Sequence, residues 1–198
     1  MQNFSIFGNL FRYPDGSTNS KLLELQKIIA QDYPAALDLI SAFIEHQNSI
    51  NIDERREYYI KTFDVQASCY LDIGYILFGE DYKRGEFLVN LAKEHKKANN
   101  NCGSELADHL PNLLSLLDKT EDKNFAEELA YCLMIPAMKE MLKTFVDKGN
   151  IYKSALEILL IVLEKEFADL EYEQFKIALN VKNCFVGKGK KKSQMCGV

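Results

Sequence analysis

Residues 58–117 read YYIKTFDVQASCYLDIGYILFGEDYKRGEFLVNLAKEHKKANNNCGSELADHLPNLLSLL, and this stretch decides the fold class. Tyr59, Ile60 and Phe63 fall on one face of a helix, and Tyr70, Ile73 and Leu77 continue the pattern beyond a junction at Asp64. Gly79 is placed to end that helix and Asp81 to cap the following one. Leu88, Leu91, Ala92 and His95 then recur at helical spacing until Asn99-Asn100-Asn101 breaks the run. Pro111 is tolerated only in the first turn of a helix, so the next one starts near Asp108 and runs to Leu117. Helix follows helix without a period-2 strand pattern, and the class is all-α.

The flanking sequence extends the same pattern. Phe4, Phe7, Leu10 and Phe11 predict a short first helix, stopped by the turn chemistry of Tyr13-Pro14-Asp15-Gly16. Leu22, Leu25, Ile28 and Ile29 mark a helix over 21–30, and Pro34 restarts one through Leu37, Ile40 and Ile44. Asp53 is expected to cap the helix that carries Tyr59. Residues 123–147 read as helix with Pro136 as a kink or break; Gly149 closes it and Asn150 can cap a helix over 151–166. That last helix is apolar nearly all round between Leu156 and Leu163, which predicts a central, buried position. The expectation is a single-domain bundle of roughly eight to ten helices over 1–180. A flexible basic tail over 181–198 follows, carrying Gly187-Lys188-Gly189-Lys190-Lys191-Lys192.

Size and charge narrow the function. The 198 residues suit one core, which serves well up to roughly 250 residues. A net charge of −5 argues against a nucleic-acid binder, because tracking phosphates needs clustered positive charge. The longest strongly apolar run, Ile158 to Leu163, is far short of the roughly 20 residues that span a bilayer. The segment MQNFSIFGNLFRYP shows no secretory signal pattern, and the five cysteines form no CxxC pair, so a cytoplasmic protein with free thiols is expected.

Catalytic signatures are missing. His46, His95 and His109 lie far apart, with no HExxH and no Cys/His pair at zinc spacing. A fold could gather Cys102, His109 and a tail cysteine, but zinc sites usually announce themselves by close ligand pairs. No phosphate-cradling glycine motif and no GxSxG occurs. Glu127-Glu128 and Glu164 with Glu166 read as solvated helix faces. His95 reads as core-edge packing. The rings of Tyr58, Tyr59, Phe63 and Tyr70 exceed what one helical stripe needs, so they are either core or anchors for an amphipathic peptide. Arg84 with Gly85 reads either as part of such a site or as a solvated charge beside a glycine that admits close helix packing. A permanent helical subunit of a redox complex and a metal-dependent helical hydrolase are the rival classes.

Several segments, in order, resemble a known family. Tyr59 with Thr62-Phe63-Asp64, then Tyr70-Leu71, then Arg84-Gly85, then Glu105-Leu106-Ala107-Asp108-His109-Leu110-Pro111 are similar to the signature of the nitrate reductase molybdenum-cofactor assembly chaperones, the NarJ-like branch of the TorD-like family. Leu10-Phe11-Arg12-Tyr13-Pro14-Asp15 resembles that family's opening segment, and Asn150-Ile151-Tyr152 the start of its last core helix. The chain departs from the family pattern at Ala107, where the family usually carries proline, and at Asp72, where it carries threonine. It also lacks the family's arginine near Tyr82. The resemblance implies an all-helical cytoplasmic chaperone, monomer or weak homodimer, that is not an enzyme. Its partner would be the apo catalytic subunit of a molybdopterin oxidoreductase, gripped by its amino-terminal peptide. The molybdopterin guanine dinucleotide and iron-sulfur cluster would belong to that client, with no cofactor held stably by the chaperone. Carried onto this sequence, the client-binding residues would be Tyr59, Phe63, Asp64, Tyr70, Leu71, Arg84, Gly85, Glu105, Asp108, His109, Leu110 and Pro111. Tyr59, Phe63, Tyr70 and Leu110 would give apolar contact, and Asp64, Glu105 and Asp108 would select basic client residues.

Overall fold

The computed structural model of the chain describes residues 3–65, 69–145 and 149–177. The fold is all-α, as the periodicities predict. Nine α-helices occur among the described residues: α1 (Thr18–Asp32), α2 (Leu37–Ser49), α3 (Ile52–Phe63), α4 (Ile73–Phe78), α5 (Tyr82–Lys97), α6 (Leu110–Lys119), α7 (Lys123–Glu127), α8 (Ile135–Thr144) and α9 (Tyr152–Glu166). Ahead of them the first predicted helix is a 3-10 helix, Phe4–Phe11. It is tied at its start by Asp118 of α6, whose two carboxylate oxygens accept from Phe4 N at 2.6 Å and Ser5 N at 2.7 Å.

α9 is the centre, as its apolar composition predicts. Ala155, Leu156, Ile158, Leu159, Val162 and Leu163 are all fully buried, and α2, α8 and the opening 3-10 helix pack around them. The 3-10 helix lies along α6, and α4 rests on α5 and α8. Among the described residues no helix is long and apolar enough to cross a membrane.

Helix ends follow local chemistry, with four corrections. The cap of α3 is Asn51, not Asp53: Asn51 Oδ1 accepts from Asp53 N and Glu54 N, while Glu54 Oε2 accepts from Asn51 N, a reciprocal capping box. Asp53 instead pairs with Arg56 at 3.2 Å. α5 turns Phe87, Leu91 and His95 inward and leaves Ala92 exposed, so the buried stripe is rotated by about one position from the predicted one. Asp64 stands at the junction as expected, at the carboxyl end of α3, but the helix expected to carry Tyr70 with Ile73 and Leu77 begins only at Ile73, so Tyr70 lies ahead of α4. The predicted helix over 123–147 is three pieces, with a π-helical turn over Glu128–Met134 between α7 and α8. Pro136 sits in the first turn of α8 and has no N–H, so the carbonyl of Cys132 cannot take its α-helical partner there. Gly79, at φ 63°, ends α4, and Asp81 caps α5 through Lys83 N, both as expected.

The basic stretch expected to form a tail lies outside the described residues. Cys69, Cys102 and Cys132 are in no disulfide, and burial pushes Cys69 up to about 12, which keeps it unreactive. Truncating the most enclosed helix tests where the core sits: Leu159→Ala is expected to lower unfolding free energy by about 2–5 kcal/mol with an unchanged denaturant slope in urea titration.

Candidate functional site

The start of α4 and the start of α6 are stitched together by a two-residue antiparallel bridge between Asp72 and His109. Leu110 N donates to Leu71 O at 2.9 Å, and Ile73 N donates to Asp108 O at 3.0 Å. The bridge carries Asp108 into the interior, where its side chain is 0% exposed. One carboxylate oxygen, Oδ2, accepts from Gly74 N at 3.1 Å and from Arg84 Nε at 3.4 Å. Arg84 reaches Asp72 as well, Nη2 to Oδ2 at 3.1 Å, and His109 Nδ1 stands 3.3 Å from Asp72 Oδ1.

One arginine thus faces two carboxylates in a partly dry site. Burial raises the Asp108 carboxyl above the ordinary range and the Asp72 charge raises it further, against the pull of Arg84. Asp72 moves the other way, held down first by its hydrogen bond to His109 and then by the charges of His109 and Arg84. Close approach here depends on a glycine: a Cβ on Gly74 would come within 2.7 Å of Asp108 Oδ2 and 2.8 Å of the Phe87 ring. Outward, the Arg84 guanidinium lies 5.3 Å from the Tyr75 ring centre, and Tyr75 packs edge-on to Tyr70 at 4.8 Å. Tyr70 is 45% exposed, so the ion cluster ends in a ring presented to solvent.

A second tether holds the far side of the same loop. His95 is buried, its Nε2 donates to Ala107 O at 2.9 Å, and its Nδ1 accepts from Asn100 Nδ2 at 2.9 Å. Asn100 Nδ2 also donates to Asn112 O, and Asn100 Oδ1 accepts from Ser115 and Lys119, both at 2.8 Å. His95 is therefore a hydrogen-bond hub rather than core-edge packing. The run of three asparagines hides the key residue, Asn100, because a helix-breaking signal and a buried amide look alike in sequence.

The aromatic residues form a floor. Tyr59 packs against Phe63 at 5.0 Å, and Phe63 against Tyr152 of α9 at 4.7 Å. Tyr59 Oη donates to Phe11 O at 3.0 Å. Its hydroxyl pKa is driven up by burial, and further by the charges of Glu105 and Asp64. Tyr13, missed as a site residue, packs edge-on to Tyr59 at 5.6 Å and is half exposed.

The twelve residues expected at a binding face divide by burial. Tyr70, Asp64, Glu105 and Gly85 are exposed, and Arg84 and His109 are partly so. Tyr59, Phe63, Leu71, Asp108, Leu110 and Pro111 are buried. Asp108 and Leu110 are fully enclosed and Tyr59 and Phe63 nearly so; these four position the face from beneath, a correction to the expectation that they meet a client directly. Gly85 lies over open space and admits no close helix packing; with Tyr82, Glu86, Val89 and Asn90 it lines a shallow groove on α5. The glutamates expected on solvated faces hold partners: Glu164 pairs with Lys139 at 2.8 Å, Glu166 accepts from Tyr33 Oη at 2.9 Å, and Glu127 accepts from Tyr172 Oη at 2.9 Å. Among the described residues no group of three or more His, Cys, Asp or Glu side chains could hold a metal ion.

Two outcomes follow from this geometry. Gly74→Ala is expected to cost about 1–3 kcal/mol from overpacking, whereas Gly85→Ala, in open space on a helix, is expected to add up to about 1 kcal/mol; urea unfolding reads both. Acid should also loosen the second tether. Burial lowers His95 below its ordinary 6.5, and the Lys119 charge lowers it further, against the hydrogen bond to Ala107. The unfolded chain therefore binds the extra proton first: this contribution is complete above about pH 6.5 and shrinks as pH falls toward the folded value. Urea midpoints should drop from pH 7.5 to 5.5, with a shallower drop in His95→Gln.

No protein-family model matches this sequence, and no curated protein matches it.

Proposed function

We propose that this chain is a cytoplasmic, system-specific chaperone that performs no bond-making step of its own. It binds the amino-terminal peptide of the apo catalytic subunit of a molybdopterin oxidoreductase, such as nitrate reductase. It holds that subunit while molybdopterin guanine dinucleotide and an iron-sulfur cluster are inserted. Neither nucleic acid nor membrane insertion enters this role.

The observation that carries the proposal is convergence. The segments on which the resemblance rests are separated in sequence, yet Leu71 pairs with Leu110 and Arg84 with Asp108, which brings the stretches around residues 71, 84 and 108–110 together. Beside this cluster stands the exposed Tyr70 ring, and Asp64 and Glu105 are exposed acids. An amphipathic client helix carrying an apolar stripe and basic residues matches this chemistry, the ring supplying contact area and the acids selecting charge. The Arg84–Asp108 pair, its carboxylate fully buried, holds the loop that bears Glu105, so this acid is presented in a set position before the client arrives.

Calorimetry with the amino-terminal peptide of a molybdopterin oxidoreductase catalytic subunit from the same organism tests the reading. Tyr70→Ala is expected to weaken binding by at least about 2 kcal/mol, and Asp64→Lys with Glu105→Lys to weaken it further at low salt than at high. Wild-type binding by both variants, with helical circular dichroism intact, would contradict this placement of the site.

A further inference from the structure

After α9 the chain runs back over the bundle as a strap without helix or strand, residues 171–177, which lies over the π-helical turn. Contacts of several kinds seat it. Phe175 N donates to the carbonyl of Cys132 at 2.9 Å, the acceptor whose α-helical donor would have been Pro136, a residue with no N–H. The Phe175 ring packs edge-on to Phe78 at 5.2 Å, and Phe78 in turn packs on Phe87 at 5.4 Å. Tyr172 Oη donates to Glu127 Oε2 at 2.9 Å, with the Tyr131 ring 6.3 Å from that of Tyr172.

The seat is built into the core, and Tyr172, Phe175 and Ile177 of its occupant pack on it while only half-buried. Cys132, Leu129 and Leu133 beneath are buried, while no residue of the strap is fully buried. A segment so placed draws its stability from local contacts and opens far more readily than a central helix.

We propose that the surface spanning Phe78, Glu127 and the Cys132 carbonyl is a second peptide-docking groove, occupied in cis by the strap and open in trans to a partner's extended Tyr-x-x-Phe segment. The strap shows the chemistry that the groove selects. A phenolic donor meets Glu127, a backbone N–H three residues later meets the Cys132 carbonyl, and an aromatic ring at that same later position meets Phe78. Cis occupancy lowers the apparent affinity for such a partner by the fraction of time the strap is open, which makes the strap a brake on docking. Phe87 touches both Phe78 and the space beside Gly74 and Asp108, so the groove adjoins the ion cluster of the candidate site. The proposal does not depend on the identity of any client.

The probe is the synthetic peptide LEYEQFKI, the chain's own residues 170–177, added to full-length protein. Phe175→Ala is expected to fold and to bind the peptide at least about tenfold more tightly than wild type, because the brake is released. Adding Phe78→Ala or Glu127→Gln to that variant is expected to cost at least about tenfold. In the wild-type protein, hydrogen exchange at the Phe175 amide should run at least about a hundredfold faster than at Leu159. Equal protection at Phe175 and Leu159, loss of helical structure in Phe175→Ala, or no peptide binding by that variant would each overturn the proposal. Because the probe is the chain's own sequence, its outcome is separate from that of the client-peptide experiment.

Discussion

A carboxylate with no access to water sets the arrangement of the loop and two helices around it. Asp108 is fully enclosed, and an uncompensated charge in such a place would cost several kcal/mol. Arg84 and the Gly74 amide compensate it, and each can do so only from one direction: Arg84 from α5, Gly74 from the first turn of α4. The contact at Gly74 leaves no room for a side chain, so α4 and the loop ahead of α6 have a single mutual placement. Asp72 then shares the arginine and orients His109, so the cluster closes on itself instead of leaving a cation half satisfied.

The same loop is tied at its other end through His95 and Asn100, by hydrogen bonds whose directions are fixed by what each atom can donate or accept. Two tethers of different physics therefore hold residues 101–107: one an ion cluster, the other an amide and imidazole network with Lys119 as an outer donor. A loop held in this way can carry exposed acids such as Glu105 without the entropy cost of ordering them on binding. Tyr70 stands at the outer end of the ion cluster by way of Tyr75, so the position of the exposed ring and the buried charges are mechanically linked.

Much of the fold was legible because its signals are local. Gly79, Asp81 and Pro111 act within one turn, and each falls where its chemistry predicts. The errors are also physical. Asn51 and Asp53 are both good caps, and only the reciprocal bond with Glu54 separates them. The inward stripe of α5 slipped because Phe87 follows Glu86 directly, and its inward turn is set by Phe78 and Gly74 on another helix. Asp108 and Leu110 look like surface recognition residues in a loop, yet a two-residue bridge draws them inside, and no period-2 pattern announces so short a pairing. Asn100 and the strap depend on long-range partners and left no helical or strand periodicity to read, while the π-helical turn shares the helical pattern of its neighbours and is set apart only by Pro136.

A double-mutant cycle between Arg84 and Asp108, read by urea unfolding, tests most directly that this pair organises the face. Arg84→Met, Asp108→Asn and the two together should show a coupling of at least about 1 kcal/mol, since residues in one ion and hydrogen-bond network depart from additivity by roughly 0.5–3 kcal/mol. Additive effects, within about 0.5 kcal/mol, would mean that the pair is incidental and that the loop is held in place by something else.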